Sequence, residues 1–207
     1  MSFDPRRLRG ASELKALAHP VRMAILEQLT IDGPLTASDL AEALSETPAN
    51  CSYHLRTLAK YGFVVEAAGG VGRQRPWQAA QRGLSWADAG ESTEVLMAAD
   101  ALSRVLVQRE VARFEAARAN RLGSEWDQLS TASQSVMWLT AAEVEQVQTD
   151  LRAVMTRYLD RFDDPGERPP GSRLVHLLSL LSVDGQRAPT PGPTFAGSVT
   201  AIPRDAS

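Results

Sequence analysis

The residues in this chain best placed to do chemistry lie close together, between Thr47 and Lys60. Wound as a helix at 100° per residue, that stretch puts Cys51, Leu55 and Leu58 on one side and Ala49, Tyr53, Arg56 and Lys60 on the other. Asn50, Ser52 and Thr57 flank the second group. Arg matches guanine, Asn matches adenine, and Ser or Thr bonds either base edges or phosphate. Such a face suits hydrogen bonding in a nucleic-acid groove better than proton transfer or metal binding. Two more cations, Arg73 and Arg75, follow the glycines 69, 70 and 72.

Local signals say which elements hold these residues. Thr47-Pro48 is an N-cap followed by a first-turn proline, so a helix is expected over 47–61, ended by Gly62. Before it, Thr36 caps a short helix with Leu40, Ala41 and Leu44 on its inner face. Pro20 opens an earlier helix running to about Leu29, and Ser12 is expected to cap a first one over Glu13–Ala18. Phe63–Ala67 and Gln74–Ala79 read as two strands around the glycine turn, with Pro76 restricting the second to an edge. Helix, turn, helix and arginine-bearing hairpin together describe a winged helix-turn-helix, with helix 47–61 in the major groove and wing 63–79 at the backbone or minor groove.

Beyond residue 90 the pattern changes. Residues 93–119 are free of Gly and Pro and predict one long helix. Thr140 to Glu143 fits a capping box opening a helix to 162, with Val144, Val147, Leu151, Val154, Tyr158 and Phe162 on one face. The runs 135–139 and 172–182 are expected to be strands, giving a small C-terminal α/β extension, although the uncharged, leucine-rich part 174–183 keeps a helix possible. Residues 184–207, rich in Pro and Gly, are expected to be a disordered tail. The fold class is therefore mainly α with small β. Its parts are a DNA-binding domain over 1–90, dimerisation and extension over 91–183, and a tail over 184–207.

Composition limits the alternatives. The 207 residues, 43% hydrophobic and 23% charged, suit an ordinary globular protein. A single cysteine, Cys51, rules out an internal disulfide and points to a reducing compartment. Met1–Gly10 carries four charges and no apolar run, so no signal peptide is expected, and a cytoplasmic location follows. No membrane association is expected, because the apolar run 174–183 is too short to span a bilayer. There is no Gly-x-Ser-x-Gly, no phosphate-binding Gly-Lys-Ser/Thr loop and no His-Glu-x-x-His, so no enzyme is expected. The net charge of −3 argues against a nucleic-acid partner when taken alone. Its distribution weakens that objection: residues 1–90 hold 10 Lys/Arg against 9 Asp/Glu, and the excess acid lies beyond them.

The sequence also resembles the ArsR-type (arsenic-repressor-like) winged-helix regulators. Leu17-Ala-His-Pro20-Val-Arg22-Met-Ala-Ile25-Leu26 is similar to that family's opening helix, and Leu40-Ala-Glu-Ala-Leu44 to its first helix-turn-helix element. Ser52-Tyr-His-Leu-Arg-Thr-Leu58 and Lys60-Tyr-Gly-Phe-Val64 are similar to its recognition helix running into the wing. The match spans roughly residues 12–80. It implies a homodimer on a near-palindromic double-stranded operator, usually as a repressor. Recognition falls to Asn50, Ser52, Tyr53 and Arg56, and wing contacts to Arg73 and Arg75. His54 is expected to be structural or directed at phosphate. Metal-sensing members of the family carry two cysteines where this chain has Thr36 and Ser38, and a soft metal needs thiolates. None of the three histidines, His19, His54 and His176, lies on helix 93–119, which excludes the other metal site of the family. No cofactor and no metal sensing are therefore expected, while an unidentified small-molecule effector stays compatible. Trp77, Trp86, Trp126, Trp138 and His176 are expected to pack in the interior. The competing reading is a winged-helix protein-interaction module that does not touch DNA.

Overall fold

Prolines and short polar caps set the helix starts in the first part of the chain. A computed structural model describes residues 6–69, 75–81, 83–86, 92–120, 126, 129, 131–163 and 165–185. Pro20 begins α2 (Pro20–Asp32). Thr36 caps α3 (Ala37–Leu44), its hydroxyl accepting from the Asp39 N–H while the Asp39 carboxylate accepts from the Thr36 N–H. Thr47 caps α4 (Pro48–Lys60) by accepting from the Asn50 N–H at 3.2 Å. Gly62, at φ 69°, takes the left-handed conformation that ends α4. α1 (Ala11–Leu17) departs from expectation: its N-cap is Gly10, and Ser12 lies inside the first turn.

The wing forms as an antiparallel pair, β2 (Val64–Glu66) with β3 (Trp77–Ala79). Trp77 also exchanges both backbone hydrogen bonds with Leu35 on its other side, at 2.7 and 3.0 Å, so β3 starts between two neighbours rather than at an edge. Pro76 lies just before the strand, where its missing N–H removes no ladder bond. A second pair went unread in the sequence: β1 (Arg6–Leu8) runs parallel to β4 (Leu84–Trp86). Each is three residues long, too short for an alternation pattern to register.

The core gathers Leu14 and Leu17 of α1, Ile25 and Leu29 of α2, Leu40 of α3, Leu55 and Leu58 of α4, and Phe63 and Val64 of the wing. It extends past residue 90 into α5 (Thr93–Ala119), whose Val95, Ala98, Ala99 and Leu102 are buried as α1 packs along it. Glu27 of α2 fastens the next turns of α5. It accepts from Arg109 Nε at 3.0 Å and from Arg113 Nη2 at 2.5 and 2.7 Å, and Arg113 also bonds Glu110 at 2.6 Å. Burial raises the Glu27 carboxyl, but the Arg109 and Arg113 hydrogen bonds and charges overcome it and hold Glu27 below the usual range.

The C-terminal part corrects several expectations. Residues 131–140 and 172–184 join no strand ladder, so the two strands expected at 135–139 and 172–182 are not formed. A strand exists only through a ladder with a neighbouring strand, and among the described residues these runs pair with none. Between them stand α6 (Ala141–Thr156), opened by the expected Thr140–Glu143 capping box, then α7 (Asp160–Asp163) and a 3₁₀ turn (Pro165–Glu167). Trp138 is 68% exposed and His176 is exposed, so neither is an interior residue of this chain alone. The chain divides into two units, Met1–Val175 and His176–Ser207. Most of the expected tail, 186–207, lies outside the described residues.

Candidate nucleic-acid interface

α4 separates into two faces as its sequence requires. Cys51, Leu55 and Leu58 are fully buried, whereas Tyr53 is 61% exposed and Ala49, Arg56 and Lys60 are exposed. Ser52, Asn50 and Thr57 are half-buried at the margins. Arg56 makes no ion pair or side-chain hydrogen bond with any described residue, so its planar fork of donors is available to a ligand. Lys60 lies 5.5 Å from the Tyr61 ring and keeps its charge outward.

Three expected site residues are engaged elsewhere. Asn50 donates from Nδ2 to Glu46 at 2.8 Å, which leaves its carbonyl oxygen and one N–H for a base. The same Glu46 sets a carboxylate beside the α4 N-terminus, which weakens that end as a phosphate site. Thr47 spends its hydroxyl oxygen on the cap. In the wing, Arg75 pairs with Glu66 at 2.7 Å across the hairpin, so its charge is partly neutralised where it stands. Arg73, Gly70 and Gly72 lie outside the described residues.

Two positioning features had little or no local signal. Arg6 reaches the far end of α4, donating at 3.0 Å to both the Gly62 and the Tyr61 carbonyl oxygens, and stacks 4.8 Å from the Phe63 ring. A cation at a helix C-terminus meets the carbonyls that the helix leaves unpaired. The contact spans more than fifty residues of sequence, so no spacing rule points to it. The second feature is His54, which is only 4% exposed and thus structural rather than directed at phosphate. Its ring lies 4.6 Å from that of His19, the N-cap of α2, which accepts the Val21 N–H on Nδ1 at 3.2 Å. His54 Nδ1 has no hydrogen-bond partner among the described residues.

This histidine pair ties recognition-helix placement to pH. Burial lowers His54, reinforced by His19 and Arg22 and opposed by Glu46. Burial, then Arg22, lowers His19, again against Glu46. The folded state thus prefers both rings neutral. Stability from the pair is complete above the unfolded value near 6.5 and is lost as pH falls through the lowered folded values. The thermal midpoint of the protein is expected to drop between pH 7 and 5. His19→Asn keeps a capping oxygen without titrating, so it is expected to flatten that drop, and an unchanged slope would remove His19 from the cause.

A cleft of about 230 Å³ opens between α2, the base of the wing and α5, lined by Met23, Leu26, Phe63, Leu84, Trp86 and Leu106 among others. Trp86 is fixed beside it by its Nε1 bond to Ser103 at 3.0 Å. No described helix is long and apolar enough to cross a membrane.

Residues 17–67 match a family described as a helix-turn-helix domain. The chain is 49% identical over 55 residues to the HTH-type transcriptional regulator NmtR of Mycobacterium tuberculosis, a stretch that is 27% of this chain and 45% of that protein. The chain therefore spans about half the length of that curated relative. Among solved structures it is similar to reduced HlyU from Vibrio cholerae, with 26% identity over 45% of this chain and 84% of that one, at a TM-score of 0.29. The apo C30AH42A mutant of Lactococcus lactis ZitR shows 15% identity over 68% and 83% of the two chains, at a TM-score of 0.30. At these scores the assignment rests on the caps, the wing register and the two-faced α4 rather than on superposition. Those features show a winged helix-turn-helix, whose residues 17–67 are similar to a helix-turn-helix domain family and in part to a transcriptional regulator.

Proposed function

We propose that this protein is a sequence-specific, non-enzymatic DNA-binding regulator, working as a homodimer and repressing from a near-palindromic operator. The observation that carries the reading is the outward face of α4, where Arg56, unpaired among the described residues, stands between Tyr53 and Lys60 on a helix anchored by a fully buried stripe. Ser52, Asn50 and Ala49 complete the base-reading surface, and Arg73 and Arg75 of the wing contact the adjacent backbone. Residues 1–90 are the DNA-binding part and 91–183 the dimerising part, with the first turns of α5 shared between them. Leu96, Met97 and Val111 of α5 are exposed large apolar residues and suit a face between two copies.

Regulation by metal is not part of this reading. Thr36 spends its side chain on the α3 capping box, and Ser38 offers no thiolate. An effector suited to the cleft would be small and largely uncharged, because the lining is mostly apolar. There it would touch α2, the wing base and α5 together.

Selection of DNA sites from a random pool with the purified protein tests the function. The expected result is a short inverted repeat with half-site centres about 34 Å apart, one helical turn. Absence of any enriched sequence would favour the interaction-module reading.

A further inference from the structure

The helix α6 is well begun but poorly covered, with Val144 and Val147 half-buried and the rest of its apolar stripe exposed. Thr140 and Glu143 exchange reciprocal capping bonds at 2.7 and 3.3 Å, yet no residue of α6 is buried. Its apolar positions nonetheless recur at steps of three and four through Val144, Val147, Leu151, Val154 and, just beyond the helix, Tyr158. Leu151, Val154 and Tyr158 are 36%, 49% and 48% exposed. The run leading into the helix adds the exposed Val136, Met137, Trp138 and Leu139. A sixteen-residue helix is marginal in water unless an apolar face is packed. This stripe therefore marks a contact that the single chain does not make.

Charge identifies what covers it. Glu143, Asp150 and Arg157 are seven residues apart and border one edge of the stripe. When two identical helices pack in parallel, this edge faces the opposite edge of the partner, where Gln148 and Met155 offer it no charge. When they pack antiparallel, like edges face each other in reverse order and Glu143 of one helix meets Arg157 of the other, with only Asp150 near its equal at the centre. Flanking charges of this kind set helix orientation in coiled-coil pairs. The surface is thus complementary to itself about an axis through Leu151, which is the condition for an isologous two-fold contact.

We propose that α6 docks antiparallel on α6 of a second copy of this chain, with Leu151 facing its equivalent and Val144 facing Tyr158 across the pair. This contact is separate from the exposed face of α5 and from DNA binding. It makes residues 131–158 a second clasp of the dimer.

Site-specific disulfide cross-linking of the full chain tests it. The single native cysteine, Cys51, is fully buried, so introduced thiols report their own positions. Under mild oxidation Leu151→Cys is expected to give a covalent dimer, because facing side chains at the centre of a helix pair come within disulfide reach. Thr149→Cys, on the opposite side of the helix, is expected not to. Val144→Cys mixed with Tyr158→Cys is expected to cross-link more strongly than Val144→Cys alone. Leu151→Cys linking no better than Thr149→Cys would overturn the docking, whatever α5 does. Val144→Cys linking better to itself than to Tyr158→Cys would overturn the antiparallel order. Arg157→Glu is expected to reduce the Leu151→Cys yield at least twofold and Glu143→Arg added to it to restore the yield. Failure of that restoration would likewise count against the charge register.

Discussion

Leu55→Ala is expected to lower the unfolding free energy by about 2–5 kcal/mol, the usual range for emptying a fully buried leucine site. Leu55 has no exposed surface, and it sits in one buried cluster with Ile25 and Leu29 of α2, Leu40 of α3 and Leu58 of its own helix. The lost side chain removes transfer free energy and leaves a void that helices fixed on both sides fill poorly. Cys51 on the neighbouring turn is too small to relax into it. Typical domain stabilities are about 5–15 kcal/mol, so the variant stands near its folding threshold. Urea unfolding is the measurement, with the midpoint moving down and the slope unchanged because the same surface is exposed on unfolding. A midpoint within error of the parent protein would mean that α4 is not seated on this core.

The parts of the fold governed by neighbours in sequence could be read from sequence. The Thr36–Asp39 box, the Thr47 cap with Pro48 behind it, and the end at Gly62 each depend on residues within four positions of one another. The long helix α5 was equally plain, since 93–119 holds no breaker. What escaped was non-local or shorter than a period. β1 and β4 are three residues each and pair across the whole domain. Arg6 caps α4 from more than fifty residues away. The burial of His54 turns on one helical-wheel step and on His19 arriving from another helix. The runs 135–139 and 172–182, with Arg173 their one charge, read as strands because apolar residues usually lie inside, but none of the described residues supplies their ladder. In the interface, the identities on α4 were legible, whereas the diversion of Asn50 to Glu46 and of Arg75 to Glu66 was not. Both depend on which carboxylate lies within reach after folding.

Arg56→Ala, one residue from Leu55, is expected to do the opposite: leave stability within about 0.5 kcal/mol and remove about 1–3 kcal/mol of operator binding. The side chain is exposed and unpaired among the described residues, so truncating it breaks no internal contact. If its fork spans the O6 and N7 of a guanine, Arg56→Lys is also expected to lose most of the affinity, because an ammonium cannot make the bidentate pair. Lys60→Ala is the contrasting case: weaker binding to every sequence alike and a shallower salt dependence, as for a phosphate contact. The weak basicity of residues 1–90 sharpens the difference. With few cations to collect phosphate energy, base contacts supply a larger share of the total. The Arg56 loss should therefore fall toward the upper end of its range and persist at high salt. Titrations of the selected site at two salt concentrations measure both quantities. Equal affinity for parent and Arg56→Ala would take Arg56 off the reading face, and a loss that vanishes at high salt would reassign it to phosphate.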